Sequence, residues 1–79
     1  MMDAEHIDVY ALFARRACAV QPLKFRWQQR IYTVREVTYH WETTVGATRF
    51  LHFAAVDDAH LFELVLNTKA LTWELHNVE

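Results

Sequence analysis

Residues 30–43, Arg30-Ile-Tyr-Thr-Val-Arg-Glu-Val-Thr-Tyr-His-Trp-Glu-Thr43, decide the fold. The stretch is dense in β-branched and aromatic residues, which suit a pleated, half-buried surface. Its alternation changes phase midway. Tyr32 and Val34 fall on even positions, whereas Val37, Tyr39 and Trp41 fall on odd ones. Because successive strand side chains point to opposite faces, the inward face must switch near Arg35-Glu36. A bulge or sharp bend makes such a switch, and bends of this kind let a small sheet curl towards a barrel.

Four turn candidates divide the chain around this segment: Gln28-Gln29, Thr44 to Thr48 around Gly46, Asp57-Asp58, and Asn67-Thr68-Lys69. They delimit strands at about 22–27, 30–43, 48–56, 60–66 and 71–77. A two-residue loop at 28–29 sets Phe25 against Tyr32, Leu23 against Val34, and Trp27 against Arg30. Closing the Gly46 loop with Thr44 opposite Thr48 sets Trp41 against Leu51, Tyr39 against Phe53, and Val37 against Ala55. A loop at 57–60 sets Leu64 against Phe53 and Leu66 against Leu51. A last loop closed by Leu66 and Leu71 sets Leu64 against Trp73 and Phe62 against Leu75. One face stays apolar through every hairpin, the condition that fixes register. The expectation is an all-β domain, a curled antiparallel meander of about six strands forming a small barrel-like sheet. Residues 4–20 read two ways. Ile7, Tyr10, Ala11, Ala14 and Cys18 would line a helical stripe, while Ile7, Val9, Ala11 and Phe13 alternate as a strand does. Pattern leaves strand and helix both open there.

The 79 residues amount to one domain, 1–79, with room for a single core that buries about 60–65% of the unfolded surface. An apolar content of 53% with one Gly and one Pro is that of a folded, not a disordered or linker, chain. No apolar run is long enough to span a bilayer as a helix, so no membrane partner is expected. The N-terminal Met-Met-Asp-Ala-Glu-His lacks the basic and apolar regions of a signal peptide. Cys18 is the single cysteine, which excludes an internal disulfide. Together these point to a reducing, cytoplasmic location. Arg15 and Arg16 lie beside Cys18, but the thiol reads as inert.

Several stretches together, His-Ile-Asp-Val-Tyr-Ala at 6–11, Pro-Leu-Lys-Phe-Arg-Trp at 22–27, Val-Thr-Tyr-His-Trp at 37–41 and Asn-Thr-Lys-Ala-Leu-Thr-Trp at 67–73, carry a resemblance. The chain resembles, over nearly its whole length, a family of small bacterial all-β domains of unknown function. The resemblance implies a strand at 6–13 and a turn near Ala14 to Ala17. It implies no activity, cofactor or substrate. Such relatives carry Arg-Gly where this chain has Gln28-Gln29, which leaves the turn type here open, since positive φ is costly without glycine.

The net charge of −2 hides a division. Residues 1–35 carry six basic and three acidic side chains, and residues 36–79 two basic and seven acidic. No acid lies between Asp8 and Glu36, where Lys24, Arg26, Arg30 and Arg35 interleave with Trp27 and Tyr32. Cations among aromatics on one hairpin are what a single-stranded nucleic-acid binder uses, so Lys24, Arg26, Trp27, Arg30 and Arg35 form one candidate site. The sequence pI of about 6.2 weighs against it. A second candidate is self-association. Phe50, Val56, Leu61 and Val65 fall on the outer face of the predicted sheet, more apolar surface than a small monomer leaves wet, and a homo-oligomer would cover them.

Chemistry finds little support. His6, His40, His52, His60 and His76 lack the close spacing of a zinc site. The chain has no serine, and Glu63 and Glu74 are expected to face each other on the outer face. The sequence thus points to a non-catalytic interaction or structural module without cofactor, with self-association the preferred reading and nucleic-acid binding the runner-up.

Overall fold

The computed structural model describes residues 4–14 and 19–79. Cys18, Arg15 and Arg16 lie outside the described residues, as does the turn expected near Ala14 to Ala17 apart from Ala14, which ends the first strand. The described chain forms seven strands and no helix: β1 (Glu5–Ala14), β2 (Ala19–Trp27), β3 (Arg30–Thr33), β4 (Glu36–Val45), β5 (Thr48–Val56), β6 (Leu61–Asn67) and β7 (Thr72–Val78). All pairings are antiparallel, in the order β3-β2-β1-β7-β6-β5-β4.

Two features correct the expected six-strand meander. The first segment is a strand and not a helix. Ile7, Val9 and Ala11 pack against the core in alternation, while β1 hydrogen-bonds β2 along Asp8–Ala14 and β7 along Glu5–Ile7. β1 thus holds β7 with its first part and β2 with the rest of its length, and joins the two halves of the sheet, which a surface helix could not do. The second concerns residues 30–45, which form two strands at opposite ends of the sheet order, linked only by Val34 and Arg35. The Val34 amide donates to the Leu23 carbonyl (2.9 Å) and the next amide, of Arg35, to the Val56 carbonyl (2.8 Å). One continuous stretch therefore leaves β2 and joins β5 within two residues. The sheet must curl into a half-barrel for both bonds to form.

The concave side holds the core. Phe25, Phe53, Ala55, Phe62, Leu64, Leu66, Trp73 and Leu75 are buried together, contributed by β2, β5, β6 and β7. Phe62 meets Phe25 edge-on at 4.9 Å between centroids and Tyr32 at 5.5 Å, and Phe25 stacks on Tyr32 at 5.4 Å. Aromatic contacts of this geometry add to the burial of about 25 cal/mol per Å² that drives collapse.

The inward face does switch between Val34 and Val37, both of which pack on the core. It switches again three residues on. Val37 pairs with Ala55, but Tyr39 pairs with Ala54 and Trp41 with His52, a bulge that takes in Thr38. Tyr39 and Trp41 therefore stand on the outer face, contrary to expectation, and His40, Glu42 and Thr44 take the inner positions. Beyond the bulge the inner positions of β4 stay exposed, whereas on the outer face Trp41 is half-buried and stacks on both Tyr39 and His52. The Gly46 loop closes on Val45 and Thr48 as a two-residue turn, one step tighter than expected.

The Gln28-Gln29 turn adopts positive φ at both residues (52° and 63°), a mirror-image hairpin turn made without glycine. It sets Phe25 against Tyr32 and Trp27 against Arg30, as the apolar pattern requires.

Candidate binding faces

The five basic and aromatic residues of the 24–35 region do not form one surface. Strand pleating puts Lys24 and Arg26 on the outer face and Trp27 and Arg30 on the other. Lys24 stands across from Tyr10 and Thr33, and Arg26 across from Asp8 and Ile31. The Lys24 ammonium lies 5.0 Å from the centre of the Tyr10 ring, a cation–π contact. Trp27 is half-buried against the core, 5.7 Å from Tyr32, and its indole N–H donates to a Glu5 carboxylate oxygen at 2.6 Å. Its ring is thereby committed to the fold.

Arg30 and Arg35 line a groove of about 620 Å³ at the bend, with Tyr32, Asp57, Asp58 and His60. Arg35 is ion-paired with Asp58 there. Asp57 builds the opposite wall: one of its carboxylate oxygens accepts the amides of Ala59 (2.8 Å) and His60 (2.7 Å). The Ala59 amide, then the backbone and side chain of His60, hold the Asp57 carboxyl below the ordinary carboxylate range against an opposing contribution from burial. The groove thus presents both signs of charge, with one of its two arginines already engaged.

The expected self-association patch is largely covered within the chain. Phe50, Val56 and Leu61 are half-buried, and Val65 is only 3% exposed. Val65 does stand on the outer face. It lies in a cross-strand row Trp41, His52, Val65, Glu74, His6, flanked by the His52 ring and the Glu74 carboxylate. Long polar neighbours lying across a sheet shield a short apolar one, a burial that strand alternation alone does not reveal.

This row carries a chain of polar contacts. Tyr39 stacks on Trp41 (5.5 Å) and Trp41 on His52 (4.9 Å, rings 12° apart). His52 Nε2 shares a hydrogen bond with Thr43 Oγ1 at 2.8 Å, while the buried Nδ1 has no hydrogen-bond partner among the described residues, Glu63 standing at 3.6 Å. Glu63 and Glu74 are not opposite each other: Glu63 pairs with Asn77, and Glu74 with Val65. Each faces histidine instead, Glu74 meeting His76 at 2.8 Å and His6 at 3.7 Å. Among the described residues no three His, Cys, Asp or Glu side chains converge as metal ligands.

One apolar surface that remains open lies elsewhere, apart from single exposed side chains such as Tyr39, Val45 and Leu71. On the outer face of β1, β2 and β3, Tyr10 is 51% exposed, Leu12 53% and Ile31 48%, beside Lys24 and Arg26. The charge pattern marks this region in the sequence. Its apolar members are hidden there because Tyr10 and Leu12 on β1 and Ile31 on β3 come to one face only through the pairing of both strands with β2. Among the described residues no helix is long and apolar enough to cross a membrane. Comparison of the chain with protein-family models, curated proteins and solved structures found no match.

Proposed function

We propose that this domain is an interaction module without catalytic activity, which docks an anionic partner on the outer face of β1, β2 and β3. The observation that carries this reading is the company Tyr10, Leu12 and Ile31 keep. Three exposed apolar side chains share a face with Lys24 and Arg26, a face whose one acid on these strands, Asp8, stands opposite Arg26 and leaves Lys24 unopposed by charge. Apolar contact gives such a surface affinity, and its cations select for negative charge and steer encounter. A cytoplasmic location, consistent with a lone cysteine, belongs to the same proposal.

Single-stranded nucleic acid is the second reading, supported by the Lys24 ammonium over Tyr10, an aromatic that stays open where Trp27 does not. Fluorescence anisotropy with labelled single-stranded DNA and RNA at two salt concentrations separates the two. Binding that weakens with salt, and weakens further in Arg26→Ala but not in Arg30→Ala, supports the nucleic-acid reading on this face. No binding at low salt leaves a protein partner. Pull-down with wild type and with Leu12→Lys/Ile31→Lys then tests the face: a partner retained equally by both refutes the docking surface.

A further inference from the structure

β4 is a ten-residue strand that, among the described residues, pairs with β5 alone, so its far edge presents unpaired backbone groups. Proteins usually guard such an edge with lysine, proline or a short strand. β4 has no lysine, arginine or proline; its Thr38 bulge guards only the first part of the strand, and from Tyr39 to Val45 it runs regularly with Glu42 as its one acid.

We propose that this edge pairs antiparallel with the same edge of a second copy, about a two-fold axis through Trp41. Symmetry restricts the choice. Residues directly opposite in an antiparallel pair share a face, so the axis must pass through a residue and not between two. An axis at Glu42 sets two Glu42 carboxylates against each other, and like charges directly opposite are unfavourable. An axis at His40 sets His40 on its own copy and places the irregular Thr38 opposite Glu42. An axis at Thr43 sets His40 and Tyr39 against the Gly46-Ala47 turn beyond the end of the strand, and an axis at Trp41 avoids all three. It places His40 opposite Glu42 of the second copy, twice over, and Tyr39 opposite Thr43, again twice, with the two Trp41 side chains meeting on the axis. All five positions lie within the regular segment.

The side chains are accessible for this, Thr43 keeping its hydrogen bond to His52 on the outer face. His40, Glu42 and Thr43 are exposed and Tyr39 is 66% exposed. Glu42 is held only by a 3.9 Å contact to Arg49 on the neighbouring strand. On the outer face, the stack His52, Trp41, Tyr39 would meet its symmetry mate and extend across the axis. This surface is separate from the β1–β3 face, so its failure leaves the docking proposal untouched.

Sedimentation equilibrium of the full chain over a concentration series tests the inference with three proteins. Wild type should dimerise reversibly. His40→Glu places a new carboxylate against Glu42 of the second copy, twice over, and should weaken the dimer by about ten-fold or more. The double change His40→Glu/Glu42→Lys restores opposite charges at both positions and should recover most of that loss. Both substitutions are at exposed sites, and unchanged circular dichroism confirms that the monomer is folded. A wild type that stays monomeric throughout, or a dimer indifferent to His40→Glu, overturns the proposal. So does a dimer lost in His40→Glu and not recovered in the double variant.

Discussion

Replacing Gln29 by glycine should stabilise the domain, even though it removes a side chain. Gln28 and Gln29 sit at φ values of 52° and 63°, the left-handed region where an ordinary residue carries about 1–2 kcal/mol of steric strain. Both side chains are exposed, so truncation sacrifices little. Against the relief stands the greater backbone freedom of glycine in the unfolded chain, about 0.5–1 kcal/mol. The net gain is about 0.5–1 kcal/mol, a rise in Tm of a few degrees for a chain of this length. Ala47 supplies the control. It occupies the other two-residue hairpin turn beside Gly46, whose φ of 60° already carries that turn's positive angle, and Ala47 itself is not in the left-handed region. Ala47→Gly relieves no strain and should destabilise by about 0.5–1 kcal/mol. Urea unfolding followed by tryptophan fluorescence measures both, with the slope against denaturant unchanged. Should Gln29→Gly destabilise the chain as Ala47→Gly does, the strain argument fails.

Three further outcomes follow from burial and hydrogen bonding. Phe62→Ala removes a ring 1% exposed that touches Phe25, Tyr32 and His60, and should cost about 3–5 kcal/mol, enough to leave so small a domain largely unfolded by circular dichroism. Val65→Lys should lower stability by about 1–3 kcal/mol in thermal unfolding without changing the association state, because Val65 is covered inside one chain. Asp57→Ala loses two backbone hydrogen bonds and should destabilise by about 1–2 kcal/mol at neutral pH. The pH dependence has a definite sign. The carboxyl is held below its ordinary value of 3.8 in the folded state, so its contribution is complete above that pH and fades as pH falls through the depressed value. Unfolding curves of wild type and Asp57→Ala should therefore converge in acid, and a gap that stays constant below pH 3.8 would contradict this account.

Local information carries the hairpins. Turn chemistry and apolar alternation fix Phe25 on Tyr32, Phe53 on Leu64 and Leu51 on Leu66. The last hairpin shows how errors of different parity behave. Alternation places Leu64 against Trp73, whereas it stands against Leu75, a slip of two residues that leaves every apolar side chain on the same face. Around Gly46 the slip is one residue, and there Tyr39 and Trp41 change sides. Strand periodicity is two, so an even slip preserves the core and an odd one inverts it. That inversion also changes the candidate sites, because it moves Tyr39 and Trp41 to the outer face that the free edge of β4 presents.

The sequence alone determined that the chain from Lys24 onward is built of antiparallel β hairpins, roughly where their turns fall, and that its inward face must switch after Val34. Those properties live in neighbouring residues, in φ preference and in period. Only the tertiary structure decided that β1 joins β7, that Val34 and Arg35 bridge the two ends of the sheet, and which outward side chains stay open. Whether Val65 is covered and Leu12 is not depends on which strands lie beside them, and strand order is set by the curl of the whole sheet.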